Sequence, residues 1–159
     1  MRLLLVLLCV ATSLRAQGAS PARVAASVSR VFGTGTAIAH LRADTTDVLR
    51  VTRGDSLLGF AVVRDFQGKE QPITVLVATD PADRLKDVDV LVYREPYGGE
   101  VAYDSWRRQF RGRSAADSLA LGRDIRGISG ATISVNSVTL GVRDALRDLT
   151  RWHRSGVVR

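Results

Sequence analysis

From residue 37 to residue 93 the apolar side chains come in short runs: Ala37-Ile38-Ala39-His40-Leu41, Val48-Leu49-Arg50-Val51, Leu57-Leu58-Gly59-Phe60-Ala61-Val62-Val63, Ile73-Thr74-Val75-Leu76-Val77-Ala78 and Val88-Asp89-Val90-Leu91-Val92-Tyr93. Runs of this length, rich in β-branched residues and bounded by turn formers, read as strands. Parallel neighbours need a crossover of about a dozen residues or more, usually a helix, and nothing between consecutive runs has helical spacing. The chain is therefore expected to fold back on itself as an antiparallel meander. Gly54-Asp55-Ser56 and Asp80-Pro81-Ala82-Asp83 supply two of the turns. Alternation along the last run puts Val88, Val90 and Val92 on one face.

Helical spacing belongs to the two ends. Ser20-Pro21 followed by Val24, Ala25, Val28, Val31 and Phe32 combines a hydroxyl N-cap, a proline in the first turn and an apolar stripe, and Gly33 closes it. Val135, Val138, Val142, Leu146, Leu149 and His153 step by three or four, with Arg143, Asp144, Arg147, Asp148 and Arg151 on the opposite face. Residues 94–100 read as a loop, 103–111 as a short helix and 112–131 as a glycine-punctuated loop. Trp106 and Phe110 share one face of that short helix and are expected to pack into the core. With 159 residues there is room for one core. The expectation is a single α+β domain over residues 20–153: a mainly antiparallel twisted sheet flanked by helices, a long C-terminal amphipathic helix, and a frayed tail over 154–159.

The first residues read as something else. Met1-Arg2 followed by an apolar run from Leu3 to Ala11 has the form of a secretory signal, closing at Ala16 or Ala19. The run is too short to span a bilayer. An exported protein, periplasmic or held at the outer side of the cytoplasmic membrane, is expected. Loss of residues 1–16 takes away Arg2 and Arg15 and no acid, lowering the net charge from +7 to +5. It also removes Cys9, the only cysteine, so disulfide, thiol and cysteine-ligated metal chemistry have no residue to use. No metal site is expected.

The stretch that carries chemistry is Ser129-Gly130-Ala131-Thr132-Ile133-Ser134, which delivers small residues and hydroxyls to the start of the last helix. A helix start offers unpaired amides and the positive end of the dipole, and small residues allow close approach, so the segment suits a phosphate. The alternative is an ordinary N-cap, with Ser129, Thr132 or Ser134 accepting from a nearby amide.

The run Ser129-Gly130-Ala131-Thr132, followed by a hydroxyl residue and an amphipathic helix, resembles the flavinylation motif of the FMN-binding domain family. That family includes subunits of the sodium-pumping NADH:quinone reductase and of Rnf electron-transport complexes. The resemblance extends to Arg94-Glu95-Pro96-Tyr97-Gly98-Gly99-Glu100-Val101, Trp106 and Gln109-Phe110, and is clearest over residues 70–150. It implies FMN as cofactor, transferred from FAD by a flavin transferase and joined through its phosphate to Thr132. Ser134 is a second hydroxyl candidate, and Ser129, Gly130 and Ala131 would surround the phosphate. Tyr97, Gly98 and Gly99 would form a wall for the ring, and Glu95 and Glu100 would accept from ring or ribityl groups unless they are simply solvated loop residues. The aspartate that members often carry just before the motif is displaced here to Asp124, and Arg126 stands nearer, where it would neutralise the phosphate. The implied role is an electron carrier serving a membrane or periplasmic redox partner, with no catalytic residue of its own.

The competing readings are weaker. Trp106-Arg107-Arg108-Gln109-Phe110-Arg111-Gly112-Arg113 mixes arginine with aromatics, but no nucleic-acid motif accompanies it and an export signal argues against nucleic acid. A positive face toward anionic lipid headgroups, an acidic redox partner or the cofactor phosphate fits the compartment better. A secreted structural or binding protein in which the motif merely caps a helix is the remaining alternative.

Overall fold

A computed structural model describes residues 18–159; the export signal expected over 1–16 lies outside the described residues. Helix α1 (Pro21–Phe32) starts where the sequence places it, with Ser20 Oγ accepting from Arg23 N at 3.3 Å and Gly33 ending it. Five strands follow: β1 (Ala37–Ala43), β2 (Thr46–Arg53), β3 (Ser56–Gln67), β4 (Pro72–Thr79) and β5 (Leu85–Val92). They form one antiparallel sheet in the order β1-β2-β3-β4-β5, the expected meander. After β5 come a 3-10 turn (Gly99–Ala102), the single-turn helix α2 (Asp104–Arg107), a second 3-10 turn (Arg108–Phe110), a long loop, and α3 (Thr132–Arg154). The protein is α+β.

Both faces of the sheet are covered, which is why β4 reads as a continuous apolar run and not an alternating one. Toward α3, Phe60, Val62, Ile73, Val75, Val77 and Val88 pack with Val135, Val138, Val142, Leu146 and Leu149. Toward α1, Leu49, Val51, Ala61, Leu76 and Ala78 pack with Val28 and Phe32. Trp106 and Phe110 join the α3 side as expected, edge to face with centroids 5.3 Å apart.

Three expectations need correction. The tail is not frayed: Gly156 turns with φ +74°, the amides of Val157 and Val158 donate to Trp152 O at 2.9 and 3.2 Å, and Val158 is fully buried. The segment 103–111 is not one helix but α2 continued by a 3-10 turn. And Val92 does not share the face of Val88 and Val90. Thr74 pairs with Val92 while Val75 pairs with Val90, so β5 bulges by one residue at Leu91. Both Leu91 and Val92 then belong to the α1 side, and Tyr93 is turned to the α3 side. A bulge re-aims the side chains that follow it, and here the one re-aimed is a phenol facing the start of α3.

Candidate functional site

Tyr93 ties the loop after β5 to the head of α3. Its hydroxyl lies 2.8 Å from Ser134 Oγ and donates to the carbonyl of Tyr97. Burial pushes the phenol above its ordinary range against the pull of the Ser134 hydroxyl, with Glu95 and Glu100 adding to the rise, so it stays a donor. Gly98 makes the contact close. It holds φ +86°, and a Cβ there would stand 2.8 Å from Tyr93 Oη, 2.9 Å from Ser134 Oγ and 3.2 Å from Ala131 Cβ. Only glycine meets both demands. Glu95 ties the same loop to the β3–β4 turn: Oε1 accepts from Glu70 N at 2.7 Å and Gln71 N at 2.9 Å. The amides of Gln71 and Glu70, helped by Lys69, hold this carboxyl below the usual range.

These ties enclose a cleft of about 330 Å³. Lys69 and Glu70 of the β3–β4 turn form one side, Glu95, Pro96 and Tyr97 another, and Gly130 to Ser134 the third. Thr132 is exposed at the first position of α3. The N-cap is Ala131, and no side chain caps the helix. The first helical bond runs from Val135 N to Ala131 O at 2.9 Å, so the amides of Thr132, Ile133 and Ser134 have no partner within the helix. Gly130, at φ +80° with open space where a Cβ would sit, turns the chain into the helix without crowding this end. The hydroxyl-cap alternative is thereby corrected: neither Ser129, Thr132 nor Ser134 caps α3.

The site residues read from the sequence divide into three groups. Thr132, Gly130, Ala131, Ser134, Glu95 and Tyr97 meet around the cleft. Gly98 and Gly99 lie behind it against Tyr93, shaping the loop without lining the cleft. Ser129 is exposed outside it. Among those that meet, Ser134 is 5% exposed with its hydroxyl engaged by Tyr93, and Glu95 Oε1 is engaged by two amides, so both build the site. Arg126 lines a different cleft; Lys69 is the cation that lines the cleft of Thr132. Sequence reasoning missed Lys69, Pro96, Ile133 and Tyr93. One signal was present for Lys69: arginine is the cation almost everywhere in this chain, and lysine occurs only at 69 and 86.

The arrangement fits a phosphorylated, flat ligand. The uncapped amides and the helix dipole favour an anion at the head of α3, and Lys69 lines the same cleft, along with the carboxylates Glu70 and Glu95. Beside them Tyr97 is 81% and Ile133 50% exposed, and together with Pro96 they offer apolar surface a ring would cover.

Comparison with known proteins agrees. Residues 68–147, half of the chain, match the FMN-binding domain. The chain is also 29% identical over 108 residues to a subunit of the proton-translocating ferredoxin:NAD(+) oxidoreductase complex of Clostridium ljungdahlii, an alignment covering 63% of this chain and 58% of that relative. The chain thus spans little more than half the length of the relative it matches. It belongs to the FMN-binding domain family, and FMN is its cofactor.

Proposed function

We propose that this protein is an exported electron carrier with FMN joined as a phosphodiester to Thr132. The observation that carries the reading is the exposed hydroxyl of Thr132 on an uncapped helix of 23 residues, in a cleft with Lys69 and Tyr97. The diester would retain one negative charge, which the free amides and Lys69 are placed to hold. Thr132 Oγ1 supplies the ester oxygen; the phosphoryl group comes from FAD through a flavin transferase, with AMP as leaving group and the hydroxyl proton lost. Bound FMN supplies one- and two-electron chemistry. The chain's part is to fix position: Tyr93 and Gly98 hold the Tyr97 wall, and Glu95 holds the Lys69 turn. Among the described residues no helix is long and apolar enough to cross a membrane, and export with docking to a membrane redox complex rests on the signal-like start and on the named relative.

Co-expression with a flavin transferase, followed by fluorescence of the denatured band and intact mass, tests this. A fluorescent band with the mass of one added FMN moiety is expected. A dark band of unshifted mass removes the covalent reading, and colourless native protein removes flavin binding with it.

A further inference from the structure

The segment from Trp106 to Arg113 carries four arginines, and the fold uses three of them. Arg107 is buried: Nε donates to Ala102 O at 2.9 Å, Nη1 to the carbonyl of Val88, and Asp87 and Asp89 lie 3.4 and 3.7 Å away. Arg111 pairs with Asp87 at 3.0 Å and with Asp104. Arg113 pairs with Asp117 at 3.4 Å. Arg108 is exposed and, among the described residues, its guanidinium has no hydrogen-bond or ion-pair partner; the same holds for the guanidinium of Arg126.

Both line one cleft of about 460 Å³, together with Arg113, Trp106, Gln109 and a single carboxylate, Asp124. Asp124 is already engaged as acceptor for Ser118. The cleft is built and not left over. Trp106 Nε1 donates to Arg126 O at 2.8 Å, and Arg126 N donates to Gln109 Oε1 at 2.8 Å. Gln109 is itself fixed, with Nε2 donating to Trp106 O at 3.0 Å. Two side chains of the cleft floor thus pin both backbone polar groups of an exposed loop residue, and so set where its guanidinium begins.

We infer that this cleft docks an acidic segment of a partner protein, whose carboxylates take the free guanidinium forks of Arg108 and Arg126. The planar fork matches a carboxylate in two parallel bonds. With Arg113 paired to Asp117, the two unpaired guanidiniums of Arg108 and Arg126 against the engaged carboxylate of Asp124 leave the cleft positive, and complementary charge steers such encounters. A concave site suits a protruding side chain better than the flat surface of a bilayer. Thr132 lies six residue steps beyond Arg126, a reach of at most about 21 Å, so a segment seated here brings its protein to the flavin. That the partner exchanges electrons rests on the flavin reading; the binding itself does not.

A fluorescein-labelled hexaglutamate peptide titrated into the full chain at low salt, followed by anisotropy, tests the assignment. Saturable binding is expected, weakened about tenfold in the double variant Arg108→Gln/Arg126→Gln. The double variant Arg42→Gln/Arg147→Gln removes the same charge from exposed arginines elsewhere and should stay within about twofold of wild type. Equal loss in both variants would reduce the effect to net charge and overturn the site, as would absence of binding to the wild type. Phosphatidylglycerol vesicles that displace the peptide through Arg108 and Arg126 would reassign the cleft to a lipid headgroup.

Discussion

The two ends of α3 are finished in opposite ways. At the C-terminal end the last turn is tied down: Ser155 Oγ donates to Trp152 O at 3.2 Å, the amides of Ser155, Gly156, Val157 and Val158 donate to carbonyls of the last turn, and Val158 seals it in the core. Asp83, in the β4–β5 turn, takes His153 Nδ1 at 2.7 Å and Arg154 Nε at 3.0 Å. At the N-terminal end the cap is an alanine, the first residue is an exposed threonine, and the surrounding side chains build a cleft without entering it. One end shows what the fold does when a terminus serves stability. The other departs from that pattern at the place where we propose the flavin phosphate is held.

This contrast can be broken from either side. The largest effect is expected from Thr132→Ala, which should abolish covalent flavin in an intact-mass assay and leave thermal unfolding unchanged; a retained adduct would move the attachment elsewhere. Asp83→Ala should do the reverse. It removes the partner of His153 and Arg154 and places alanine at φ +60°, costing about 2–3 kcal/mol in urea unfolding while flavin loading persists. Gly98→Ala tests the link between loop and helix head. The positive φ and the contacts below 3 Å predict a loss of about 2 kcal/mol and weaker flavin retention in a Thr132→Ala background, where binding is reversible.

Smaller effects sharpen the picture. Tyr93→Phe deletes the hydroxyl between Ser134 and Tyr97 and should cost about 1 kcal/mol, whereas Ser134→Ala should leave the adduct in place. Glu95→Gln acts through charge. Because the folded carboxyl sits below its ordinary range, its contribution is present above the unfolded value and is lost as pH falls through the folded one. The stability difference between wild type and Glu95→Gln should therefore be visible at neutral pH and vanish below the ordinary glutamate range. A difference that grows toward acid would contradict the assigned direction.

The meander and both long helices were legible because they follow from local pattern: strand runs with only turns between them, and a three-to-four step in α1 and α3. The bulge at Leu91 was not. It depends on a register shift against Thr74 and Val75, which no residue of β5 announces, and it sends Tyr93 toward Ser134 against strict alternation. For the same reason Thr132 and Tyr97 could be named from the motif while their separate supports could not. Lys69 reaches the cleft only because Glu95, across a gap of 24 to 25 residues, gathers the amides of the β3–β4 turn. Arg126 illustrates the converse. Its closeness to the motif in sequence suggested a phosphate partner, yet Trp106 and Gln109 hold it on another cleft. The tail misread as frayed turns on Val158, whose burial needs the whole core to be present.

Peptide mapping by mass spectrometry of the chain matured with a flavin transferase bears most directly on the open end of α3. The FMN moiety should be found on the residue at 132 and nowhere else, with Ser129 and Ser134 unmodified. Flavin on either serine, or a matured chain that carries none, would contradict the assignment of the uncapped helix head as the flavin's seat.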